Sequence, residues 1–153
     1  DRVVATVPGN LFVRLALTHL PTAEQRSPFT VVAPFTGGSY GTTGNRLPYA
    51  PENLFNITLG YRAPQYWNAR LEYVYVGSQY SSFDNDVAPT ADGTKGLIAS
   101  YGIWNAVANY TVGNASFFIA AKNLTNDVYI VDRTRGIQVG MPRLVQAGMK
   151  YSF

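Results

Sequence analysis

Six charged residues within segments where polar and apolar residues alternate share one parity: Arg14, Arg62, Arg70, Glu72, Lys122 and Lys150. The other parity of the same segments is apolar, as in Leu11, Val13, Leu15 and Leu17 or Leu71, Tyr73 and Tyr75. A period of two is the signature of a strand, because successive side chains leave it on opposite faces. The chain therefore folds into sheet with one wet face and one apolar face.

Alternation bounded by Gly, Pro and Asn clusters predicts six strands, over about residues 10–20, 53–62, 66–80, 97–112, 115–129 and 143–153. His19 and Arg143 break the parity, but at strand ends where a side chain reaches water. The connections run long, short, long, short, long: 21–52, 63–65, 81–96, 113–114 and 130–142. A soluble two-sheet sandwich shares the alternation of faces but rarely this alternation of loops. Outer-membrane barrels have both, with short periplasmic turns and longer extracellular loops.

Composition agrees with the barrel. Charged residues are 14% of the chain, against about 25% in soluble domains. Aromatics reach 14% as well, yet no run approaches the roughly 20 apolar residues of a membrane helix. The expected architecture is all-β, a transmembrane antiparallel barrel. Ala63-Pro64-Gln65 and Gly113-Asn114 are its periplasmic turns, and Tyr61, Tyr66, Trp67, Tyr110, Tyr151 and Phe153 gather at that rim. Leu15, Ile57, Leu71, Tyr73, Ala106, Ile119 and Met149 should face lipid, with Arg14, Arg70, Lys122 and Lys150 in the lumen. Single-chain barrels begin at about eight strands, so other strands must complete this one and the chain reads as a piece of a longer precursor.

Other chemistries find little purchase. His19 is the single histidine and no serine sits in a nucleophile motif, so no catalytic residues are expected and the chain is not read as an enzyme. Cysteine is absent, which removes thiolate metal sites. Asp84-Asn85-Asp86 and Asp92 are rich in oxygen but lack Ca²⁺-loop spacing, and they read as a solvated loop. Gly37-Gly38 and Gly41-Thr42-Thr43-Gly44 lack the ending of a phosphate loop and read as flexible. A net charge of +3 carried by scattered basic residues excludes nucleic acid as partner, and no cofactor is expected. Arg70 and Glu72, two apart on one face, read as a lumenal ion pair.

The end of the chain carries a resemblance. Asn123-Leu124-Thr125-Asn126-Asp127-Val128-Tyr129, then Gly140-Met141-Pro142-Arg143, then alternation to Phe153, is similar to the C-terminal signature of TonB-dependent outer-membrane receptors. Gly44-Asn45-Arg46-Leu47-Pro48-Tyr49-Ala50-Pro51 resembles a stretch that precedes a late barrel strand in that family. Thr90-Ala91-Asp92-Gly93-Thr94-Lys95-Gly96 and Trp104 are most similar to the ferric dicitrate branch.

The resemblance implies a barrel of about 22 strands, of which these are the last six, residues 1–153 being the C-terminal portion of the barrel domain. It implies a plug and a TonB box N-terminal to this chain, a contact with TonB through that segment, and import of ferric citrate or another ferric siderophore across the bacterial outer membrane. Arg133 and Arg135, in the last extracellular loop, would then bind an anionic chelate, since guanidinium forks suit carboxylate oxygens. Phe153 and the apolar residues at every second position before it resemble the signal read by the barrel-assembly machinery. A passive porin-like channel, a TonB-dependent receptor for non-iron cargo and a surface β-binding module are the competing readings.

Overall fold

The computed structural model of the protein describes residues 2–7, 10–32, 39–63 and 66–153. Thirteen strands occur among them. Seven form one antiparallel wall in chain order: β1 (Arg2–Val7), β2 (Leu11–His19), β5 (Asn53–Arg62), β6 (Trp67–Val76), β9 (Tyr101–Val112), β10 (Ala115–Lys122) and β13 (Leu144–Tyr151). The other six pair within the long connections: β3 (Thr30–Val32) with β4 (Ser39–Gly41), β7 (Gln79–Tyr80) with β8 (Leu97–Ile98), and β11 (Ile130–Asp132) with β12 (Gln138–Val139).

The wall exceeds the expected six strands by one. β1 pairs with β2 from Arg2↔Ala16 to Val7↔Leu11. Its sequence, Arg-Val-Val-Ala-Thr-Val, is short and too uniformly apolar to show a period. The expected third, fourth and fifth strands are also shortened. β6 stops before Gly77, where a side chain would run into the Asn53 carbonyl oxygen at 2.9 Å. Residues 99–100 interrupt the expected fourth strand, separating β8 from β9. β10 stops before Asn123, which turns the backbone left-handed at φ 48°.

Register makes the two faces explicit, because residues directly opposite on antiparallel strands share a face. Val13, Leu59, Leu71, Ala106, Ala121 and Val145 stand in one row, and Leu11, Tyr61, Ala69, Ala108, Ile119 and Ala147 in the next. On the opposite face Arg14, Thr58, Glu72 and Asn105 form a row, beside Phe12, Gly60, Arg70, Val107, Ala120 and Gln146. The expected lipid-facing and lumenal sets are thus on opposite sides of the wall.

Among the described residues no second layer packs on the apolar side. Among them one hydrophobic side chain, Ile98, is fully buried, while Leu11, Leu59, Ile119 and Met149 are each about half exposed or more. A soluble chain of this size buries a core. Here the apolar surface has only the bilayer to cover it. Aromatic residues mark its edges, as in barrels with a girdle at each interface. Tyr61 and Trp67 touch at 4.7 Å near the short-turn end, where Tyr66, Tyr110 and Tyr151 also lie exposed. Phe55, Tyr73, Tyr75 and Trp104 cluster toward the other end, with rings 4.7–5.6 Å apart. From Trp67 to Tyr73 is about 20 Å along the strand at roughly 3.3 Å per residue. Residues 64 and 65 of the expected turn, like Gly37 and Gly38, lie outside the described residues.

Candidate functional site

The three long connections, 20–52, 77–100 and 123–143, emerge from the same end of the wall and are bonded to one another. Asn85, at a left-handed φ of 57°, accepts the Arg46 amide through Oδ1 at 2.7 Å and donates to the Arg46 carbonyl through Nδ2 at 2.8 Å. Asn45 donates to the Phe83 carbonyl at 2.7 Å, and the Phe29 and Phe83 rings meet at 5.3 Å. Arg46 ties down the base of its own loop by donating to the carbonyls of Ala50 at 2.8 Å and Leu20 at 2.6 Å.

Tyr49 joins the first connection to the third. Its hydroxyl donates to Asp132 Oδ1 at 2.6 Å and accepts the Arg133 amide at 3.2 Å. Its φ of 56° is uncommon for a bulky residue, and that strain is held by the Tyr49 amide donating to the Tyr80 carbonyl at 2.9 Å. The Thr134 hydroxyl, and then Tyr49, hold the exposed Asp132 carboxyl down at about 2, so it stays ionised as an acceptor for both. Arg133 joins the third connection to the second, its Nη1 donating to the Gly93 carbonyl at 3.2 Å.

This placement separates the two arginines expected to bind cargo together. Arg133 is only 6% exposed, folded between loops, whereas Arg135 is exposed at the tip of a turn closed by the Gly136 amide donating to the Arg133 carbonyl at 3.1 Å. Two other loop expectations change. Thr42 is wholly buried, and its hydroxyl donates to the Phe29 carbonyl at 3.0 Å, so this glycine-flanked stretch is anchored. Asp84 is not solvated: its side chain is 2% exposed and paired with Lys95. His19 sits at the strand end, its Nδ1 within 2.8 Å of Asn53 Oδ1.

The signature residues have a structural reason. Asn123 is 2% exposed; its Nδ2 donates to the carbonyls of Asp127 at 2.9 Å and Met141 at 3.0 Å, and its Oδ1 accepts the Asp127 amide at 3.0 Å. One amide thus clasps both ends of the last connection. Asn126 adds a bond from the Arg143 amide at 3.0 Å. Gly140 leaves room for Tyr129, whose ring would lie 2.1 Å from any β-carbon there and stacks on Tyr101 at 4.3 Å.

On the lumen face a polar ladder crosses the strands. Glu72 accepts from Asn56 at 2.8 Å and from Asn105 at 3.1 Å, and Asn105 accepts the Asn123 amide at 3.2 Å. The expected Arg70–Glu72 pair does not form. Asparagines on the neighbouring strands supply the carboxylate's hydrogen bonds instead, Asn105 from directly opposite Glu72 and Asn56 from the diagonal position. Phe12 and Phe118 lie over Gly60 and Gly148, directly opposite them, so close that a β-carbon on either glycine would meet the ring at 2.0 or 2.4 Å.

A wall with an uncovered apolar band, two aromatic girdles, short turns at one end and knitted loops at the other defines an outer-membrane β-barrel. The family described as "TonB dependent receptor-like, beta-barrel" matches residues 10–124. The chain belongs to that family, which is one of outer-membrane transport receptors and not of enzymes.

Solved structures agree on the fold. The ferric citrate transporter FecA, in its unliganded form, superposes with a TM-score of 0.69 at 22% identity, over 92% of this chain and 21% of its own. The siderophore receptor PiuA from Acinetobacter baumannii gives 0.73 at 16% identity, over 97% of this chain and 21% of its own. The ferric-catecholate import receptor Fiu from E. coli K12, in its open form, gives 0.61 at 18% identity, over 97% and 20%. The chain therefore spans about a fifth of the length of the receptors it resembles.

Proposed function

We propose that residues 1–153 form the C-terminal portion of the barrel of a receptor that imports an anionic ferric chelate, ferric citrate or another ferric siderophore. TonB would act through a segment N-terminal to this chain. The reading is supported by the named cargo of the similar receptors and by one observation on the chain itself. Arg135 is exposed at the tip of the last long loop, where a fork of N–H donors meets an approaching carboxylate. Arg133 serves the same site indirectly, by fixing that loop to Gly93.

In the complete receptor, Arg135→Ala should weaken equilibrium binding of ferric citrate by about 1.5–3 kcal/mol at fixed ionic strength, the range for hydrogen bonds to charged groups. An affinity equal to wild type would remove Arg135 from the site, and selective binding of a neutral vitamin or sugar would favour non-iron cargo.

We further assign Phe153 to recognition by the barrel-assembly machinery. It continues the apolar parity of Val145, Ala147, Met149 and Tyr151 and packs edge-on against Tyr151 at 5.2 Å. Deleting it should slow insertion into vesicles that carry the machinery while leaving the unfolding midpoint of the inserted barrel unchanged. Equal insertion rates with and without Phe153 would refute the assignment.

A further inference from the structure

Two hollows on the lumen side share Glu72, Asn105 and Lys122. The upper, about 340 Å³, opens beside Tyr129 and Met141 at the foot of the last long loop. The lower, about 100 Å³, reaches Arg70. Together they make a groove that leaves the loop end and descends the wall.

The groove's charge is uneven. Its one carboxylate, Glu72, is already engaged by Asn56 and Asn105. Arg70 and Lys122 are exposed, and neither has a carboxylate within ion-pair distance, the one ion pair among the described residues being Lys95 with Asp84 in a loop. On the same face Arg14 stands level with Glu72, and Arg62 and Lys150 lie below, at the short-turn end. From β2 onward the lumenal side of the strands therefore presents five basic residues and a single acidic one.

We propose that this groove is a transit site for oxyanionic cargo, which passes from the last loop to Lys122, then Arg70, and on along the basic wall. This rests on the reading of the cargo as an anionic chelate and names its path. Cations spread from the loop end to the periplasmic end suit a moving anion, for conduction needs several sites that each hold weakly. In a narrow bore such charges also concentrate an anion locally.

The test uses the complete receptor with Arg70→Gln and Lys122→Gln combined, and ferric citrate as probe. De-energised cells report binding and energised cells report initial uptake. Binding should stay within about twofold of wild type while uptake per bound chelate falls about tenfold or more, the lower end of electrostatic focusing. Arg70→Lys with Lys122→Arg should restore most of the rate. Unchanged uptake per bound chelate would overturn the proposal, as would a lower unfolding temperature with normal uptake per folded receptor, which marks a static contact. In a second arm, crystals of the complete wild-type receptor are soaked in bromide, which anomalous scattering should locate between Lys122 and Arg70. An empty groove there would also overturn it. If wild type does not bind ferric citrate, the cargo reading fails alone, and the bromide position still decides whether the groove takes anions.

Discussion

Arginine placed at Ala106 should destabilise the inserted barrel by about 2–4 kcal/mol, and at Val107, one residue on, by far less. Ala106 sits mid-strand in the apolar row between Leu71 and Ala121, with no protein over it. Val107 is beside Arg70 and Ala120 on the lumenal face, where water solvates a guanidinium. Near the middle of the membrane a charge has no such recourse. Urea titration of the complete receptor in thin bilayers, for both variants, reads the difference. Equal losses at the two sites would mean that the wall does not separate lipid from water as its register requires.

The second large effect belongs to the clasp. Asn123→Ala strips partners from three backbone groups at once, the Asp127 amide and the carbonyls of Asp127 and Met141. These bonds are part-buried and each is worth about 0.5–1.5 kcal/mol, so a total loss of about 1.5–4.5 kcal/mol is expected. The left-handed backbone at φ 48° adds to it, since Ala tolerates that region less well than Asn. Faster hydrogen exchange across residues 123–143, with β6 and β9 still protected, is the expected pattern. Gly140→Ala should loosen the same region through its clash with Tyr129, and Tyr129→Leu in the same chain should recover part of the loss. Uniform loosening of the whole barrel, or none, would show that Asn123 is not a local clasp.

The wall was legible because strand geometry writes itself into every second residue. Arg14, Glu72 and Lys122 announce the wet face, and Leu71 or Ile119 the dry one, with no knowledge of what lies beside them. The cap was not legible. Asn85 meets Arg46 across 39 residues, and Tyr49 meets Asp132 across 83, so neither contact leaves a local period. Arg133 illustrates the limit for the candidate site: the same side chain reads as a ligand fork in a sequence and as a buried tie once Gly93 is beside it. Glu72 shows it again, because its partners Asn56 and Asn105 lie on neighbouring strands. What the signature could indicate was that Asn123 and Gly140 matter; only the bonds of Asn123 to Asp127 and Met141, and the Tyr129 ring over Gly140, show why.

The glycines under Phe12 and Phe118 bear on clearance inside the bore. A ring that rests on a bare backbone adds area to the wall without standing far out from it. Exchanging Gly60 or Gly148 for a larger residue would push its ring off the sheet and into the passage. At these two places the inner surface is smoothed, and the headroom left above the rings belongs to whatever must move through.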